Sequence, residues 1–114
     1  MSDRQEELPL ETSCGEVSQR QTRSEDFLLL DCREADEREL VHIDGSGFIP
    51  MSELQQRVDE LAEHKDRQIV IYCHHGGRSL QVTRWLRQQG YHAQSMAGGI
   101  DAWAEEIDTS LQKY

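Results

Sequence analysis

The chain has 114 residues, a formal net charge of -10 and 36% hydrophobic residues, a balance that points to one domain with a very polar surface. The acidity argues against general binding to nucleic acid or to anionic membranes, and no apolar run reaches the length of a membrane span. Cys14, Cys32 and Cys73 are odd in number and widely spaced, and the first seven residues are too polar for a signal peptide, so the expectation is reduced thiols in a cytoplasmic protein.

Residues 1–7 are expected to fray, 8–107 to form the domain and 108–114 to make an irregular tail. Leu8-Pro9-Leu10 reads as a short edge strand, because proline cannot donate to a central ladder. Ser13 and Glu16 have capping-box spacing, predicting a helix from Cys14 to about Gln21. Phe27-Leu28-Leu29-Leu30 is apolar throughout and ends at Asp31, the mark of a buried parallel strand. Glu34–Leu40 reads as a short surface helix, His42–Gly47 as a turn-rich link, and Phe48-Ile49 as a short strand stopped by Pro50. Ser52 and Gln55 repeat the capping spacing, and Leu54, Val58 and Leu61 follow at i, i+4 and i+7, predicting an amphipathic helix over Glu53–His64.

Ile69–Tyr72 is the second strong strand. Leu80–Gln89 reads as a helix with Val82, Trp85, Leu86 and Gln89 on one face and Gly90 at its end. Tyr91–Met96 reads as a last strand, and Gly98-Gly99 opens a helix carrying Ile100, Trp103, Ala104 and Ile107 on one face. Alternating strands and helices, with two strands apolar throughout, predict a small α/β domain whose mostly parallel sheet is covered by helices on both faces. In such sheets sites form at the carboxyl ends of strands. Asp31 and Cys73 both stand at that position, so they are expected to be neighbours.

Between Ile69–Tyr72 and the next helix runs Cys73-His74-His75-Gly76-Gly77-Arg78-Ser79. A helix N-terminus and an adjacent arginine both favour a thiolate. Gly76 and Gly77 permit positive φ and leave N–H groups uncovered, so successive amides can form an anion nest around the sulfur. The segment from Arg67 to Ile100 holds four arginines and no acid, which reads as a local positive field for an anionic substrate. Two reactions suit a cradled thiolate: phosphoryl transfer through a phosphocysteine and sulfur transfer through a persulfide. Cysteine-dependent phosphatases place five residues between the Cys and the Arg; here there are four, His74 to Gly77. The tighter loop suits a single sulfur better than a tetrahedral phosphate.

Cys73–Arg78 resembles the active loop of the single-domain rhodanese-like sulfurtransferases. Asp31-Cys32-Arg33-Glu34 resembles the family's Asp-Val-Arg-Glu segment, His42-Ile43-Asp44-Gly45 with Ile49-Pro50 its His-Ile-Pro-Gly-Ala…Ile-Pro segment, and Gly98-Gly99 with Trp103 its late Gly-Gly…Trp helix start. The resemblance implies a Cys73 persulfide, charged by a small anionic donor such as thiosulfate and discharged to cyanide, a thiol or a sulfur carrier. His74, His75, Gly76, Gly77, Arg78 and Ser79 would bind the transferred sulfur, and no metal or cofactor is implied. Asp31 and Arg33 are expected to support the loop, with Asp31 accepting from loop amides or from Arg78. Cys32, in place of the family's Val, reads as a small buried hydrophobe, with a relay thiol as the alternative. Cys14 reads as a bystander, His42 as a structural hydrogen-bonding residue, and both tryptophans as core. Two other readings stand beside this one: a non-enzymatic binding or sulfur-relay module of the same fold, and a cysteine phosphatase or arsenate reductase.

Overall fold

The computed structural model describes residues 8–114; the segment 1–7, expected to fray, lies outside the described residues. The chain runs β1 (Glu11–Thr12), α1 (Cys14–Thr22), β2 (Phe27–Asp31), α2 (Ala35–Leu40), β3 (Gly47–Phe48), α3 (Leu54–Arg57), β4 (Gln68–Tyr72), α4 (Gly77–Gln88), β5 (His92–Met96) and α5 (Gly99–Glu106). The five strands form one sheet in the order β1-β5-β4-β2-β3, and every pairing is parallel. Leu28 pairs with Ile69 and Asp31 with Tyr72, so the two apolar runs are adjacent and central, as expected.

Side chains alternate across a strand, and the alternation divides each apolar run between two cores. Leu30, Ile69 and Ile71 join Leu54, Leu61, Val82 and Leu86 on one face. Leu29, Val70 and Tyr72 join Val17, Ile100 and Trp103 on the other. Both faces are thus covered, which is why neither strand shows polar alternation. No helix among the described residues is long and apolar enough to cross a membrane.

Local chemistry sets most boundaries. The Ser13 side chain accepts the Glu16 N–H at the start of α1. Glu34 and Glu37 form a reciprocal capping box on α2. Three expectations shift. The edge strand is Glu11–Thr12 rather than Leu8–Leu10; Pro9 has no N–H, and this segment only accepts from β5, the Leu10 carbonyl from the Ser95 N–H at 2.8 Å and the Pro9 carbonyl from the Gln94 side chain at 3.0 Å. The predicted Glu53–His64 helix is one turn of α-helix, α3, between 3₁₀ segments at Met51–Glu53 and Val58–His64. Ser52 does not cap it, because its hydroxyl donates instead to Glu34 Oε1 at 2.7 Å. On α4 the buried face is Ser79, Val82, Thr83 and Leu86, while Gln89 is exposed and Trp85 only half-buried.

Candidate active site

Cys73 is the first residue beyond β4, where the chain leaves the sheet's carboxyl edge. Gly76 holds φ at 114°, a left-handed conformation that a side chain resists, and a Cβ there would press on the Gly98 amide. This turn aims the Gly76 N–H at the Cys73 sulfur, 3.1 Å away, and the Ser79 N–H reaches the same atom at 3.3 Å. The thiol donates to Ser79 Oγ at 3.4 Å, which donates to the Gly76 carbonyl at 3.2 Å and shares a 2.7 Å bond with Ser95 Oγ on β5. Gly77 does otherwise than expected: its φ is not positive, and it opens α4 with free space around its Cα. Helix α4 therefore starts three residues before Leu80, with its positive N-terminal end under the loop.

The second glycine pair locks the loop from the side. Ile100 N–H donates to the Cys73 carbonyl at 2.9 Å and Asp101 N–H to the His74 carbonyl at 3.1 Å. A Cβ on Gly99, whose φ is 60°, would collide with those two carbonyls. The first turn of α5 thus satisfies two loop carbonyls directly.

Arg78 turns to α2. Its two terminal nitrogens grip the Glu37 carboxylate at 2.6 and 2.9 Å, and that bond holds the Glu37 carboxyl down to about 2 against an opposing effect of burial. The positive field expected from the acid-free segment is met from outside it in the same way: Arg67 pairs with Asp26 at 3.1 Å.

Asp31 takes neither of its expected partners. Its oxygens accept from Arg33 N, Nε and Nη2 at 2.9, 3.0 and 2.8 Å, from Tyr72 Oη at 3.2 Å and from Arg38 Nη1 at 3.3 Å. Two residues past the strand, Arg33 folds back onto the Asp31 carboxylate, while Arg78 is engaged by Glu37 instead. Both side chains are fully buried. Burial opposes the Arg33 charge, but hydrogen bonds to Asp31 and Tyr114 outweigh it and raise its pKa.

His74 stacks on His75 at 3.9 Å and on Tyr114 at 3.8 Å. Burial, aided by His75, lowers the His74 pKa, so this ring gains charge at a lower pH than an ordinary imidazole. The ligating atoms of His74, His75 and Asp101 lie within 4.8 Å of one another, but the Lys113 ammonium already sits 3.4 Å from the Asp101 carboxylate. Cys73 is not among that group.

Cys32 is 1% exposed in the same apolar cluster as Cys73, and burial, reinforced by Cys73 and Asp31, raises its pKa. That environment fits a small buried hydrophobe. Burial likewise pushes the Cys14 thiol up to about 11, and it lies 3.8 Å from the Ala97 and Gly99 carbonyls. His42 bonds the Arg38 carbonyl at 3.3 Å, and Trp103 is core. Three residues at the site escape the sequence reading. Ser95, a polar side chain inside a buried strand, carries a visible signal; Glu37 is one acid among many in α2; Tyr114 lies in a tail without periodicity.

A five-stranded parallel α/β sheet with a cradled thiol at the end of its central strand defines a class, and the comparisons agree. A model of the rhodanese-like domain matches residues 13–106. A sulfurtransferase of Allochromatium vinosum is 42% identical over 89 residues, covering 77% of this chain and 81% of its own. A thiosulfate sulfurtransferase of Coxiella burnetii is 32% identical with the same coverage. Among solved structures, a rhodanese-related protein of Thermoplasma volcanium superposes with a TM-score of 0.78 at 28% identity, over 87% of this chain and 94% of that one. Several other curated relatives are longer proteins, of which this chain spans 22% to 43%. The chain belongs to the rhodanese-like domain family.

Proposed function

We propose that this protein is a sulfurtransferase that carries sulfane sulfur on Cys73. The observation that carries the reading is the pair of backbone amides, Gly76 N–H and Ser79 N–H, directed at the Cys73 sulfur at 3.1 and 3.3 Å. Donors fixed before the reaction stabilise negative charge without reorganising. In the first half-reaction the Cys73 thiolate attacks the outer sulfur of thiosulfate. A sulfur–sulfur bond forms on Cys73, the sulfur–sulfur bond of the donor breaks, and sulfite leaves with the electron pair. In the second, cyanide or a thiolate attacks the terminal sulfur of the persulfide, and the Cys73 thiolate leaves. Splitting one transfer into two is covalent catalysis.

The remaining loop residues take supporting parts. Gly76 and Ser79 hold the transferred sulfur through their amides, and His74, His75, Gly77 and Arg78 complete the loop that carries them; Asp31 and Arg33 brace the strand end behind it. The Ser79–Ser95 pair adds a hydroxyl beside the sulfur. Because Glu37 holds Arg78, the backbone amides bear more of the anionic sulfur than the arginine does. The names of the Allochromatium and Coxiella relatives support sulfur transfer and, for the second, thiosulfate as donor. The test is thiocyanate formation from thiosulfate and cyanide: the wild type turns over and Cys73→Ala does not. Turnover by Cys73→Ala, or none by wild type, overturns the proposal.

A further inference from the structure

Residues 108–114 contain no helix or strand, yet they are pinned at several points. Leu111 packs beside the cluster of Ile100 and Trp103. Lys113 Nζ bonds Glu105 at 2.9 Å and lies 3.4 Å from Asp101, both on α5. Tyr114 then reaches the site. Its ring lies 3.8 Å from that of His74 and 6° from parallel. Its hydroxyl accepts from Arg33 Nη1 at 2.8 Å and donates to Glu37 Oε2 at 2.8 Å. That same Glu37 oxygen accepts from Arg78 Nη2 at 2.9 Å. One side chain therefore joins the sulfur loop, the segment after β2 and helix α2.

Cys73 is 1% exposed, so a reagent reaches its sulfur only when the loop around it opens, and His74 and Arg78, which Tyr114 holds directly and through Glu37, both belong to that loop. Tyr114 itself is 39% exposed, so its contacts can open without disturbing either core. We propose that Tyr114 is a positioning residue that ties His74 and, through Glu37, Arg78 to the segment after β2, and so holds the Cys73 loop closed enough to favour small sulfur donors and acceptors over bulky thiols. The preference among donors and acceptors rests on the sulfur-transfer reading; the control of access to the thiol does not.

The test compares wild type with Tyr114→Phe and Tyr114→Ala. Cys73 is labelled by N-methylmaleimide and by the same maleimide on a long polyethylene glycol, with the labelled site assigned by peptide mass mapping and folding checked by thermal melting. Tyr114→Ala is expected to raise the bulky-to-small rate ratio by about tenfold. Tyr114→Phe keeps the stacked ring and loses the hydroxyl bridge, so its ratio falls between the two. Cyanide and glutathione as sulfur acceptors should follow the same order. A general loosening speeds both maleimides alike and leaves the ratio unchanged; that result, in both variants, overturns the proposal. Labelling needs no sulfur transfer, so a raised ratio in a protein that forms no thiocyanate refutes the proposed function while upholding the access role.

Discussion

The buried pair of Asp31 and Arg33 sits directly behind the sulfur loop, since Asp31 is in register with Tyr72, the residue before Cys73. Replacing Asp31 by Asn removes the carboxylate that receives three hydrogen bonds from Arg33, one from Tyr72 and one from Arg38. It leaves a guanidinium of 0% side-chain exposure without its counter-charge. Breaking such a pair from one side costs about 3–5 kcal/mol. A chain of this length has a total stability of roughly 6–17 kcal/mol, so the loss is a large fraction of it. With a urea dependence of about 2 kcal/mol per M, the unfolding midpoint followed by circular dichroism should fall by about 2 M. Arg33→Met in the Asp31→Asn background removes the stranded charge, so the double variant should lose less than the sum of the two single losses. A loss below about 1 kcal/mol for Asp31→Asn, or strict additivity in the double variant, would refute the reasoning.

Other outcomes follow from the loop and its rim. Gly76→Ala forces a side chain into φ of 114° against the Gly98 amide and should cost about 1–3 kcal/mol. Gly77→Ala should be neutral or stabilise α4 by about 0.5–1 kcal/mol, because its Cβ enters open space at an ordinary φ. Thermal melting of the two variants checks both, and equal losses would contradict the assignment of the turn to Gly76. The Glu37 carboxyl lies below its ordinary value in the folded chain, so its contribution is fully present above about pH 4.5 and is lost as pH falls toward about 2. After allowance for solvent screening that contribution is about 1–2 kcal/mol. Glu37→Gln should therefore be less stable at neutral pH and show a shallower acid limb; an unchanged acid limb would contradict the bond to Arg78.

What the sequence discloses here follows from how directly each feature is coded. The runs Phe27–Leu30 and Ile69–Tyr72 reveal two central strands because both faces of each are buried, and the residue after the second is the thiol. The spacing of Leu54, Val58 and Leu61 reports which side faces the core, and Leu54 and Leu61 are indeed buried. It does not report whether the turns are α or 3₁₀, and Ser52 is drawn away from the cap by Glu34, a partner 18 positions distant. Glycine pairs mark both loops, yet only the backbone tells Gly76, which needs positive φ, from Gly77, which does not. The Arg78–Glu37 bond and the docking of Tyr114 join residues 41 and 77 positions apart. Charge pattern and periodicity act over single turns and carry no trace of such pairings.

The proposal as a whole turns on whether sulfur becomes covalently bound to Cys73. Intact-mass spectrometry after incubation with thiosulfate should show a gain of one sulfur atom, about 32 Da, that cyanide removes. The gain should persist in Cys32→Ser and Cys14→Ser and vanish in Cys73→Ser. A wild-type protein that gains no sulfur, or a Cys73→Ser variant that still does, would contradict the account.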